Sequence, residues 1–446
     1  MIRWTAIAAI LLGLVALWGC DDDNKPSYDD DGGPDTGSGD ADTDTDADSD
    51  TEITDTPPNL QERCTVEVQG GEVSAEGDGR TPSIDINTDG DLLMGWAYDH
   101  QTGSSPDWDI EVTPYDPVLG PDVPATEPAS EAVVSQEPVI AARGEEFGIV
   151  WLDGRWDPGC TEGTWDECER ELAFIRTDAT GAPIDGPEPV RVTVDGAFYG
   201  PPAVTATDSG YTVIWISGQG VLRWMMAVTL DEAGNPGTPQ EISGDEGVKD
   251  EESPGLAAIG DNVVAVWVTE DQHNLCVQHV GTDGSASGDP NLLALDGVVL
   301  RPSLAAGDDE LLLAYSLMHG EDFEVFTQMI TPEGEASGVA QRITWTAQHV
   351  MESEIAHLGG SWAVAWLSPV PFGPDEDCVF EGCNPQVFAT ILDASGNVDS
   401  MPVLLSENPN TCANLALAGD GEGWTAAWQL RQNMRQQIRY GRMLCN

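Results

Sequence analysis

Seven times between residues 81 and 428 the chain repeats one pattern: a short apolar strand, a turn rich in Gly or Asp, and a second strand ending in an aromatic residue. The segments read TPSIDINTDGDLLMGW, EPVIAARGEEFGIVW, PPAVTATDSGYTVIW, SPGLAAIGDNVVAVW, RPSLAAGDDELLLAY, ESEIAHLGGSWAVAW and CANLALAGDGEGWTAAW. Their closing aromatics are Trp96, Trp151, Trp215, Trp267, Tyr315, Trp366 and Trp428, spaced 48 to 64 residues apart. A variable loop follows each aromatic. Then come a third strand (ELAFIRTD, MMAVTLDE, LCVQHVGTD, VFTQMITPE, QVFATILDA), a Gly-containing turn, and a short fourth strand such as PVRVT or QRIT. Four antiparallel strands recurring at about fifty residues predict an all-β chain, a seven-bladed β-propeller over 61–446. No stretch carries helical periodicity for more than a turn or two, which excludes a helical solenoid.

The last unit has only one strand after Trp428, QIRYGRMLCN, so its fourth strand is missing. The segment CTVEVQGGEVSA, ahead of the first repeat, supplies it and closes the ring. That closure brings Cys64 beside Cys445 and predicts a disulfide between them. Cys160 with Cys168, and Cys378 with Cys383, bracket single loops and are expected as local disulfides. Neither pair has CxxC spacing or an adjacent His, which argues against zinc. Cys276 and Cys412 fall in blades four and seven and are expected as buried thiols.

Of nine cysteines, Cys20 has a different setting. Arg3 and an apolar run from Trp4 to Trp18 precede it, too short to span a bilayer and suited to an export signal. The sequence Leu17-Trp18-Gly19-Cys20 resembles the lipobox of bacterial lipoproteins, with Trp18 where that family carries a small residue. The resemblance implies a signal peptide at 1–19, lipidation (palmitate among the acyl chains) of Cys20, and a cell-envelope location, at the outer membrane or cell surface. Residues 20–60 then form an Asp-rich linker. Its run DADTDTDADSDTEITDT has too few apolar side chains to offset the entropy of ordering, so it is expected as a disordered tether.

The formal charge is −62, from 17 Lys and Arg against 79 Asp and Glu. Segment 21–56 holds fifteen acids and one lysine, and with Arg3 set aside the chain from Pro57 onward still carries −49. Such a field repels phosphate backbones and anionic lipid surfaces, so nucleic acid is excluded and membrane contact is through the lipid anchor only. A saline medium or cation binding would each account for the acidity.

In a propeller, the loops between second and third strands and those between blades share one face. The long insertions 99–108, 153–170, 194–200, 244–252, 345–352 and 368–386 all fall there, and loops on a rigid scaffold are where binding residues collect. The candidate ligand-binding residues are therefore Asp99, His100, Asp153, Arg155, Trp156, Asp271, His273, His319 and Arg431, together with Gln219. Carboxylates, aromatics and an arginine suit a carbohydrate or a peptide; the competing reading is solvated loop residues with no shared target. Asp85, Asn87, Asp89 and Asp91 spell the opening of a calcium loop, but position twelve is Trp96 instead of Glu. No cofactor is implied, calcium being the one candidate. Sialidase Asp-boxes, G-x-S-x-G and H-E-x-x-H are absent, and no catalytic residue is assigned.

Blade two, with Phe147, Val150, Trp151, Asp153 and Arg155, resembles the repeat of bacterial surface lipoproteins that carry a seven-bladed β-propeller, a family of unassigned function. The resemblance covers about 64–446 and implies the fold alone. The expected role is a monomeric binding or scaffolding module for an extracellular glycan, peptide or protein. The alternative is a secreted hydrolase acting on polysaccharide, which would gather two or three of the acidic and histidine candidates at the central funnel.

Overall fold

The computed structural model describes residues 59–446, apart from short stretches of which 101–107, 161–167 and 372–382 are the longest. Among the described residues, twenty-eight strands form seven antiparallel blades of four. Blade one runs Asp78–Ile86, Leu92–Asp99, Trp108–Asp116 and Gly120–Pro121, and blade two Ser135–Arg143, Glu146–Asp153, Glu171–Thr177 and Val190–Arg191. Blades three to six repeat that order. Blade seven takes Thr411–Gly419, Trp424–Gln432 and Arg435–Cys445 from the C-terminus and its outermost strand, Cys64–Glu72, from the N-terminus.

The second strand of each blade lies between two neighbouring sheets, so it is apolar on both faces. In blade five, Leu311 to Leu317 is buried throughout. Among the described residues, seven hydrophobic cores result, each pairing one blade with the next around the ring. The closing aromatics are core, from fully buried Trp151 to Trp215 at 3% exposure. They fill the wedge that opens between sheets packed radially. Burying such a side chain contributes about 1.5–3 kcal/mol.

The fourth strands are only two residues long in blades one, two, three and six, against seven in blade five and nine in blade seven. Short edges resist pairing with another chain but leave the third strand under-bonded. A buried hydroxyl just beyond the fourth strand supplies the missing acceptor. Thr193 accepts Leu172 N–H at 2.9 Å, Ser243 accepts Met225 at 3.0 Å, Thr344 accepts Val325 at 2.9 Å and Ser406 accepts Val387 at 3.0 Å. Ser74 does the same for Ile438 in blade seven, at 3.0 Å. On the opposite face the turns between third and fourth strands are tight. Gly234 at φ +79° is one of five glycines there with φ near +80°, and a Cβ on it would stand 2.6 Å from Phe174.

The ring closes as the sequence predicts. Cys64 faces Cys445 across the antiparallel ladder and is bonded to it, closing a separation of 381 residues. Beside the disulfide, Arg442 lies 3% exposed and grips Asp420 with two hydrogen bonds of 2.8 Å while also pairing with Glu67 of the incoming strand. Burial opposes ionisation of Asp420, but Arg442, the Thr425 hydroxyl and the Gly423 N–H together outweigh it and hold the carboxyl below its ordinary range. Cys160–Cys168 is also a disulfide. Cys276 and Cys412 are buried in the cores of blades four and seven. The expected Cys378–Cys383 pair, like residues 1–58 with Cys20, lies outside the described residues.

Candidate functional site

The residues singled out from the long loops are spread around the ring, and those with defined contacts serve their own surroundings. Asp153 is fully buried and accepts from Trp151 Nε1 at 2.7 Å, Arg155 N at 2.8 Å and Arg155 Nε at 2.9 Å. Trp156 is half-buried with the guanidinium groups of Arg155 and Arg191 at 5.8 and 5.6 Å from its ring centroid. Its ring is therefore occupied by blade two's own cations. Asp271 caps a turn, accepting from Thr269 Oγ1 at 2.5 Å and His273 N at 3.1 Å, and His273 Nδ1 lies 3.0 Å from Gly297 O. His319 packs 6.2 Å from Phe326. Asp99 is buried at the end of its strand, and Gln219 and Arg431 are exposed. His100 stands among Asp109, Glu111 and Glu127 of its own blade and its crossover. In the Asp85–Asp91 stretch, Asp85 accepts Ala142 N–H of blade two, and Asn87 Oδ1 accepts the N–H groups of Asp89 and Asp91. That is a hairpin turn built by its own side chains.

The central channel does gather chemistry. Its cavity of about 380 Å³ is lined by the innermost strands of all seven blades, with the rings of Pro82, Pro138, Pro202, Pro254 and Pro302 as an apolar collar. Four of these strands carry a bulge opposite the closing aromatic, between Arg80 and Ser83, Gln136 and Val139, Leu300 and Ser303, and Ala413 and Leu415. The extra residue is Thr81, Glu137, Arg301 or Asn414, each left-handed with φ between +47° and +56°. A left-handed non-glycine costs on the order of 1–3 kcal/mol and persists where the surroundings enforce it. A bulge re-aims a side chain, and all four of these residues line the channel. Because innermost strands begin at the long-loop face, they sit at that mouth.

Three carboxylates join them. Glu352 accepts Arg301 Nη1 at 2.8 Å and Leu415 N–H at 2.7 Å, tying blades five, six and seven together. Glu252 accepts Arg301 N–H at 3.1 Å. Glu354 Oε2 lies 2.6 Å from Ser303 Oγ. Burial, with a smaller push from Glu352, raises the Glu354 carboxyl to about 8. Burial likewise raises Glu352, Glu252 and Glu137 above the ordinary range. Two polar atoms at the mouth, Thr81 Oγ1 and Glu137 Oε2, are buried without a hydrogen-bond partner. Such groups are a minority in folded chains, and water, an ion or a ligand completes their bonding.

A second groove of about 380 Å³ lies on the short-turn face between blades three and four. Its Asp261 already accepts from Ser209, and its Asp231 from Asn235. The channel mouth, by contrast, has bonding capacity to spare. Sequence reasoning missed Glu137, Arg301, Glu352, Glu354 and Asn414 by reading them as strand starts. For Glu137 and Arg301 the signal was the position before the recurring proline, where a polar or charged residue opens a strand that is otherwise apolar.

No protein-family model matches the chain, and no curated protein matches it by sequence. Among solved structures it is similar to a protein of unknown function from Dyadobacter fermentans, at 10% identity and a TM-score of 0.50, covering 86% of this chain and 99% of that one. It is also similar to the phage phi92 endosialidase, at 10% identity and a TM-score of 0.50, covering 87% of this chain and 74% of that one. At this identity the likeness shows a fold in common: the chain is a seven-bladed β-propeller.

Proposed function

We propose that this chain is a lipid-anchored binding module of the cell envelope, tethered through Cys20 and the Asp-rich linker, with its ligand seated at the channel mouth. The observation that carries the reading is the pair of partnerless buried atoms, Thr81 Oγ1 and Glu137 Oε2, in the same cavity as Arg301 and two glutamates. The site offers a guanidinium donor, hydroxyls and several acceptors within an apolar proline collar. Convergent polar groups on rigid strands suit a hydroxyl-rich ligand. The carboxylate excess favours one that also carries an amine, such as an amino-sugar glycan end or a basic peptide. An array of neutral, amino-bearing and sialylated oligosaccharides and basic peptides tests it. Binding to amino-bearing members, lost in Glu137→Gln and Arg301→Ala, supports the reading; unchanged binding in both variants overturns it. Mass spectrometry of the N-terminal peptide for a diacylglyceryl Cys20 tests the anchor.

A hydrolase is the second reading. Glu354, raised to about 8, holds its proton at neutral pH beside Glu352, which is paired with Arg301. A proton donor next to a carboxylate is the minimum for glycoside cleavage. Turnover of fluorogenic glycosides, abolished in Glu354→Gln, would favour it over a pure binder.

A further inference from the structure

Away from the channel, the pleat of blade one places Trp96, Tyr98 and His100 on one face of its second strand and its extension. Trp96 pairs with Glu111 and Tyr98 with Asp109 across the ladder, so all these side chains share that face. The crossover to blade two is bridged back at Thr126 to Val112, which brings Glu127 to the same spot. His100 Nε2 then lies 3.3 Å from Glu127 Oε1, 3.7 Å from Asp109 Oδ2 and 3.9 Å from Glu111 Oε1. One ligand atom each from His100, Glu111 and Glu127 falls within 4.8 Å of the others.

Three features set this cluster apart from an ordinary ion pair. His100 Nε2 is enclosed yet makes no hydrogen bond to any of the carboxylates around it. Neighbouring ligands of an ion bound at about 2.1 Å are separated by roughly 3.0–3.4 Å in octahedral or tetrahedral geometry; His100 and Glu127 at 3.3 Å match this, while Asp109 at 3.7 Å and Glu111 at 3.9 Å have to draw in on binding. Trp96 is 1% exposed, and its indole N–H also lacks a hydrogen-bond partner of normal geometry while lying close enough to favour the Glu111 carboxylate.

We propose that His100, Glu111 and Glu127 hold one divalent transition-metal ion, with Asp109 beside them as a further oxygen donor. An imidazole nitrogen with carboxylates suits zinc, manganese or cobalt better than calcium, which takes oxygen ligands. Glu127 is 36% exposed at its side chain, which opens the cluster to solvent and leaves room for water in the coordination sphere. The ion ties the end of the second strand, the third strand and the blade crossover together at the base of the 99–108 insertion.

The test is calorimetric titration of the full chain with Zn²⁺ in a large excess of Mg²⁺, which occupies all-oxygen acidic sites, paired with Co²⁺ absorption spectra. One equivalent is expected, bound at least about tenfold more weakly in His100→Ala and Glu111→Gln and unchanged in His273→Ala. Zn²⁺ should raise Tm by about 2–5 °C in the wild type and leave His100→Ala unmoved. His100→Asn, which removes the imidazole at less cost in packing, separates lost ligation from lost folding. No saturable Zn²⁺ binding, or equal binding in the His100 variants, overturns the assignment.

Discussion

The closing seam buries an aspartate with an arginine, and the channel mouth buries glutamates beside an exposed arginine, with opposite results. In the seam Arg442 meets Asp420 through two parallel hydrogen bonds, Glu67 completes the set, and Asp420 is held in its ionised form. At the mouth Arg301 is shared between Glu252 and Glu352. Glu354 is left to Ser303 and pushed up to about 8, and Glu137 keeps an oxygen without a partner. The same residue types clamp the ring where every atom is matched and stay poised for a ligand where the matching stops. Satisfied charge stabilises structure, while unsatisfied charge is kept only where a fold has another use for it.

The largest effect expected belongs to the seam. Arg442→Met strands a buried carboxylate and should cost about 3–5 kcal/mol, read as a shift of the urea midpoint. A loss under 1 kcal/mol would mean the seam is no better matched than the mouth. Replacing Cys64 and Cys445 together with Ser should cost about 2–4 kcal/mol by releasing the two ends of the chain. For carboxyls raised by burial, the sign runs the other way. The raised carboxyls of Glu354, near 8, and Asp85, near 6, keep protons in the folded chain that the unfolded chain releases. Their contribution is undiminished below the unfolded carboxylate pKa and is lost as pH rises through 6 and then 8, so Tm should fall from about pH 5 to pH 8. Glu354→Gln should flatten the upper half of that slope. The turn aspartates Asp178, Asp231 and Asp283 have depressed values, so their contribution is present above the ordinary range and is lost in acid. A stability maximum in mild acid follows. The smallest effect should come from His273→Ala on the exposed loop face, within about 0.5 kcal/mol and with ligand binding unchanged.

The blades are legible in the sequence because geometry leaves them little choice. A second strand packed on both faces must be apolar throughout, and the wedge beside it must end in a large ring, so Trp96, Trp151 and their counterparts mark every blade. The ring closure is legible because a missing strand at one end and a spare strand at the other share a cysteine pair. The site is harder to read. Asp153, Arg155 and Asp271 look like loop chemistry, but short polar side chains after a strand also cap their own turns, and that is where their hydrogen bonds go. Conversely, Glu137 and Arg301 sit in a strand frame, and nothing in the alternation of polar and apolar residues announces a bulge that turns them toward the axis.

Carboxyl-carbon NMR on chain labelled at Asp and Glu measures the contrast between seam and mouth directly, with Glu354→Gln and Asp420→Asn assigning the two signals. Glu354 should titrate near 8 while Asp420 remains ionised below the ordinary carboxylate range. If the two titrate together near the values of free side chains, the mouth is not a poised site and the seam is not a clamp.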